Sequence, residues 1–210
     1  GDGGDRKRPA AADGGTGPAS APPAGPSAPG APEAVPPGPK EPVSELSPAG
    51  GSFTEREKKY LTDRVPKGND PAAVLQTGQE SCDRMAYLVR HDRDMAVSSL
   101  ILGEIADAGA AADHLCPKQK PLLEDAAAGF PDGTFRVAGK REAGKAITPG
   151  RYRAPSPGED CEWRIIGKGG KKLGSGSWSK GAKPEITVPA GAREFAGTGC
   201  YAWLSEGGKG

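Results

Sequence analysis

Gly158-Glu-Asp-Cys-Glu-Trp-Arg-Ile-Ile166 is the stretch on which the reading of this chain turns. At period two, Cys161, Trp163 and Ile165 fall on one side of an extended segment and Glu162 and Arg164 on the other, which is the alternation of a half-buried strand. The only other cysteine in this half of the chain stands in Gly199-Cys200-Tyr201-Ala202-Trp203. A Cys161–Cys200 bridge would therefore tie two distant strands together, and the span from Gly133 to Leu204 can be organised around it.

Around this stretch the period stays strand-like. Thr134 to Val137, Ala146 to Arg153, Gly174 to Ser179, Glu185 to Val188 and Arg193 to Leu204 are short runs separated by Gly, Pro and Lys turns. With Cys161 to Ile166 they make six strands, which predicts a small all-β sandwich or partly closed barrel over residues 131–210. Phe130-Pro-Asp-Gly133 reads as the turn that bounds this module.

Upstream the period is helical. Ser52-Phe-Thr-Glu55 fits a capping box before Phe53, Tyr60 and Leu61, and the helix it opens should stop before Pro66. Asn69-Asp70-Pro71 reads as a cap plus a proline at the first helical position. Leu75, Gly78, Cys82, Met85, Ala86 and Val89 then recur on one face. Asp92 or Asp94 can cap a third helix with Leu100, Ile101 and Ile105 inward and an end at Gly109, and a last helix surrounds Leu122 and Ala126. Residues 53–130 thus form a small helical bundle. A Cys82–Cys116 bridge closing a loop of about 35 residues would contribute roughly 3 to 4 kcal/mol to it.

Residues 1–52 are dominated by Pro, Gly, Ala and Ser, as in Ala21-Pro-Pro-Ala-Gly-Pro-Ser-Ala-Pro29. Without periodic apolar residues they are expected to form a disordered tether, reaching on the order of 150 Å if fully extended and about 40 Å as a coil. The whole is therefore α+β in separate modules: tether, helical bundle, β module.

Totals agree with small cores. Among 210 residues, 35% are hydrophobic and 5% aromatic, against 33 Gly and 22 Pro, too little apolar material for one large core. Four cysteines in two separated pairs suit covalent staples, which persist in an oxidising compartment, so the protein is expected outside the cytoplasm. No apolar run approaches the roughly 20 residues of a membrane helix. The chain reads as the mature part of an exported precursor, and a lipid-bearing cysteine ahead of Gly1 would make it an anchored lipoprotein.

The net charge of +1 conceals an asymmetry. Residues 131–210 carry 14 basic and 8 acidic side chains, residues 53–130 carry 10 and 13, and residues 1–52 carry 4 and 6. The β module is the basic part.

The run from Phe53 to Cys116-Pro117, with Tyr60-Leu61, Asp70-Pro71, Gly78 and Cys82, resembles a small helical domain of unknown function found in secreted actinobacterial proteins. The pieces Gly133 to Val137, Ile147 to Tyr152, Cys161-Glu-Trp163 and Gly199-Cys200 resemble an uncharacterised β module at the C-termini of exported actinobacterial proteins and lipoproteins. These resemblances imply an exported protein and bring no activity with them.

Catalytic chemistry has few candidates. His91 and His114 stand alone, without a second ligand at metal spacing, so neither a metal nor another cofactor is expected, and no enzyme. Glu159, Asp160 and Glu162 form an acidic cluster near Cys161 that would suit a hydrolase accessory. Gly167-Lys-Gly-Gly-Lys-Lys-Leu-Gly174 lacks phosphate-loop spacing and reads as a basic hairpin loop.

Binding remains. Lys140, Arg141, Lys145, Arg151, Arg153, Arg164, Lys168, Lys171, Lys172, Lys180 and Lys183 share the β module with Trp163, Trp178 and Trp203. Cations beside aromatic platforms hold anionic polymers or sugars. Trp178, Lys168, Lys171, Lys172, Arg151 and Arg153 are the chosen candidates, with Trp163 assigned to the core. The expected partner is an anionic cell-wall polymer or another envelope protein rather than nucleic acid. The alternative is a protein-interaction adaptor working through an apolar patch on the helical module.

Overall fold

A computed structural model describes residues 35–48 and 51–207. The tether reading of residues 1–34 lies outside them. The rest combines five α-helices with one mixed sheet, so the α+β class holds. No helix among the described residues is long and apolar enough to cross a membrane.

Residues 35–48, expected to continue the tether, instead pack onto the helical module. Glu41 donates its N–H to the Val65 carbonyl (2.7 Å), Lys67 donates to that of Pro39 (3.0 Å), and Leu46 is only 5% exposed. Burial of Leu46 together with these backbone bonds docks the segment, although no apolar period is visible in it.

Helix α1 (Glu55–Leu61) starts two residues later than the sequence suggested: Thr54 accepts from the Glu57 N–H and Glu57 from that of Thr54. Two overlapping capping boxes are written there. The later one prevails, leaving Phe53 outside the helix and buried in a core with Tyr60, Leu61, Val65 and Leu75. Asp70 caps α2 (Pro71–His91), with Pro71 at its first position. Gly78 lets α1 close on α2, since a Cβ there would stand 2.6 Å from Tyr60 Cζ.

Asp92 caps α3 (Arg93–Ile101) through the Met95 N–H. That helix ends before Gly103, which takes φ 71°, and Gly109 lies inside α4 (Ala108–His114) instead of ending α3. Cys82 is bonded to Cys116 just after α4, and α5 (Lys120–Ala128) completes the module.

Phe130-Pro-Asp-Gly133 is strand rather than turn. It opens β1 (Phe130–Val137), and the Phe130 ring is the hub of the β core, edge-on to Phe135, Tyr152 and Phe195. The run 146–153 splits at Thr148-Pro149 into β2 (Ala146–Ile147), parallel to β1, and β3 (Gly150–Arg153). Next come the hairpin β4 (Glu162–Gly167) and β5 (Lys172–Ser177), then β6 (Glu185–Val188) and β7 (Ala192–Ser205).

Strand β7 is the spine. Antiparallel β1 lies on one side of it. On the other, β4 pairs with residues 192–198 and β3 with Leu204 and Ser205. The fork is a bulge in which Asp132 alone faces the four residues Thr198 to Tyr201. Asp132 replaces the missing ladder by accepting the N–H groups of Cys200 and Tyr201, both at 2.9 Å. The bulge turns Cys200 inward to its bond with Cys161 and leaves Tyr201 half exposed at φ 69°.

The modules meet along β7. Trp203 packs into the β core, whereas Ala202 and Leu204, on the opposite face, join Val97, Ile101, Leu122 and Ala126 in the helical core. At the joint, Gly129 lies so close that a Cβ would be 2.4 Å from the Trp203 carbonyl oxygen, and the Arg141 guanidinium donates to the Gly129 carbonyl.

Candidate functional site

The β4–β5 hairpin sets the charge of one end of the sheet. Its loop is a short 3-10 turn, Lys168–Gly170, in which Gly169 and Gly170 take φ 68° and 82°, conformations that glycine adopts without steric cost. Lys168, Lys171 and Lys172 consequently project from a tight turn, all exposed. The β4–β7 register sets Gly167 opposite Ala192 and so brings the exposed Arg193 to the same end. Among the described ion pairs none involves these four cations. Arg164 continues the positive surface along β4, with Ser175 and Ala196 as its cross-strand neighbours.

Arg193 was not among the candidates chosen from the sequence. Its placement follows from a pairing with β4 that local patterns do not reveal, although its exposed position next to buried Ala192 obeys strand alternation.

The other candidates do not gather there. Arg153 lies opposite Leu204, at the far end of β7. Its guanidinium is bidentate on Asp94, at 2.7 and 3.0 Å, with Glu206 3.9 Å from Nε. The hydrogen bond from Arg153 holds the Asp94 carboxyl below its ordinary range against the opposing effect of burial, and the same bond raises the pKa of Arg153. Arg153 thus joins the modules. Arg151 is exposed on β3 opposite Thr187 of β6, away from the hairpin.

Trp178 is half-buried. Its backbone N–H donates to the Cys161 carbonyl (2.8 Å) and its side chain packs against the β core. Trp163 lies across β5, where a Cβ on Gly176 would be 2.6 Å from its Cζ2, and its ring meets Trp203 edge-on. Arg141 is desolvated at the joint, which lowers its pKa from the ordinary arginine value. Lys183 contributes positive potential at Asp94.

The acidic residues near Cys161 diverge. Asp160 packs over Gly199, whereas Glu162 sits on the outward face of β4 opposite Thr198 and Ser177. Among the described residues no three His, Cys, Asp or Glu side chains are grouped to hold a metal ion. On the helical module, Tyr87 and Met95 are exposed, and the Tyr87 ring leans on His91 at 4.2 Å between centroids.

No family model, curated protein or solved structure matches this chain.

Proposed function

We propose that this is a non-enzymatic binding or scaffolding protein of the cell surface, whose β module contacts anionic envelope polymer through the end of the sheet formed by Lys168, Lys171, Lys172 and Arg193. The observation that carries the reading is the convergence of four exposed cations, none of them in an ion pair among the described residues, on one tight hairpin and its neighbouring strand. Such a cluster attracts a polyanion over a Debye length of about 8 Å at physiological salt. The exported address belongs to the same reading, supported by two disulfides and by the motifs resembling exported proteins.

Co-sedimentation with purified anionic cell wall tests it. The full chain should bind at low ionic strength and release as salt rises. The triple variant Lys168→Glu, Lys171→Glu, Lys172→Glu should lose binding by at least about tenfold, while Arg151→Glu should change it little. Equal binding by the triple variant would sink the proposal. The adaptor reading has Tyr87 and Met95 in its favour, and binding that survives the triple variant but fails in Tyr87→Ser would support it instead.

A further inference from the structure

Strand β5 has a neighbour on one edge only. Among the described residues it pairs with β4 alone, and none of its six residues is buried. The direction of its backbone groups follows from the bond that ends the ladder. The Trp178 N–H donates to the Cys161 carbonyl, so the N–H groups of Gly176 and Gly174 also turn toward β4. Those of Ser175 and Ser177, with their carbonyls, point away from the sheet, and none of the described bonds outside the ladders engages them.

Little guards this edge. From Leu173 to Ser177 there is no proline and no charged side chain, and the run Gly174-Ser-Gly-Ser177 is small enough for another backbone to come close. Leu173, 40% exposed, adds an uncovered apolar side chain.

The charges of the β4–β5 hairpin are segregated by end. Lys168, Lys171 and Lys172 stand at the turn, whereas Glu159, Asp160 and Glu162 stand at the open end. All six are exposed, and none is in an ion pair among the described residues. Lys180, in the turn after Trp178, is one cation against these three carboxylates, and Lys183 lends its field to Asp94. A second hairpin laid antiparallel along the first would set each cationic end against an acidic one.

We propose that β5 pairs with β5 of a second copy of this chain, antiparallel about a two-fold axis at Ser175, so that one sheet runs across a homodimer. Such an axis must set inward residues opposite inward ones, and centring it on Ser175 does so. The two Ser175 residues exchange N–H···O bonds, Gly174 lies opposite Gly176, and Leu173 is covered beside the partner's Ser177. Lys172 is the cross-strand neighbour of Ile166, on the outward face that also carries Glu162. Each Lys172 therefore reaches the same face as the partner's Glu162, about 10 Å away across two strand spacings. The two Arg164 side chains, next to Ser175 on β4, stay about 14 Å apart, beyond the screening length of about 8 Å. The proposal does not rest on polymer binding, since its readout is particle mass with no polymer present.

Sedimentation equilibrium of the full chain over a concentration series should show monomer and dimer in exchange. Ser175→Lys sets two like charges about 5.5 Å apart across the axis and should weaken association by at least about tenfold. Ser175→Glu should do the same. Mixed in equal amounts, the two variants should associate again, a rescue that a misfolded chain would not give and that follows only if residue 175 meets itself. Thr187→Lys, exposed on the other edge strand β6, should dimerise as the parent does. Far-UV circular dichroism checks the fold of each variant. A monomeric parent, parent-like association of Ser175→Lys, a mixture that stays monomeric, or dissociation by Thr187→Lys would each overturn the proposal.

Discussion

Replacing Gly129 by alanine tests whether the two modules form one cooperative unit. Gly129 has φ −102° and ψ −171°, an extended conformation open to any residue, so the substitution carries no dihedral penalty. Its cost is steric: the new Cβ would lie 2.4 Å from the Trp203 carbonyl oxygen and 2.7 Å from Ile101 Cδ1. Neither neighbour yields easily. The carbonyl belongs to β7, opposite Phe130, and Ile101 is 1% exposed in the helical core. Overpacking of this kind costs about 1 to 3 kcal/mol, and the loss of unfolded-state freedom returns about 0.4 to 1 kcal/mol. With a backbone atom as the obstacle, a net loss of about 2 kcal/mol is expected, which lowers Tm by about 4 to 8 °C at this chain size. Calorimetry supplies Tm, while far-UV circular dichroism and tryptophan fluorescence follow the helical and β modules separately. Both signals should shift together. Gly139→Ala is the control, because nothing lies within 4 Å of a Cβ there. A Gly129→Ala protein melting within about 1 °C of the parent, or losing only one module's signal early, would refute the account of the joint.

Two further substitutions probe other joints. Arg153→Ala should cost about 1 kcal/mol at pH 7, a modest figure because both side chains of the Asp94 pair are about one-third exposed. Since Arg153 depresses the folded pKa of Asp94, that stability is present above the unfolded carboxylate value of about 3.9 and is lost as pH falls through the folded pKa. The urea midpoints of parent and variant should therefore converge in acid, and an undiminished gap there would contradict the pairing. At the bulge, Asp132→Asn should destabilise by about 1 to 2 kcal/mol by leaving one of two N–H groups without an acceptor, whereas Tyr201→Gly should stabilise by about 1 kcal/mol by relieving a left-handed conformation. Thermal melts of opposite sign support the description of the bulge, and a destabilised Tyr201→Gly would count against it.

Much of the architecture was legible because the determining interactions are local or covalent. Asp70-Pro71 marks a helix start by chemistry confined to adjacent residues, and the alternation around Trp163 places its neighbours on the correct faces. Pro131-Asp132-Gly133 misled because its turn chemistry serves a partner 68 residues away, where Asp132 holds Cys200. The pairing of Arg153 with Asp94, 59 residues earlier, left no local signal in the sequence. The contact between modules did leave a trace: Ala202-Trp203-Leu204 is apolar at consecutive positions, as expected of a strand covered on both faces.

Strand β7 comes after every element it joins, and this fixes the order in which the fold can be completed. The bond between Cys82 and Cys116 needs only the helices, but the faces of Val97 and Ile101 must wait for Ala202 and Leu204. Strands β1, β3 and β4 wait for other residues of the same strand, and the thiol of Cys161 waits for Cys200. Until β7 docks, both half-built lobes leave sticky surface uncovered, the kind of partly folded state in which chains aggregate.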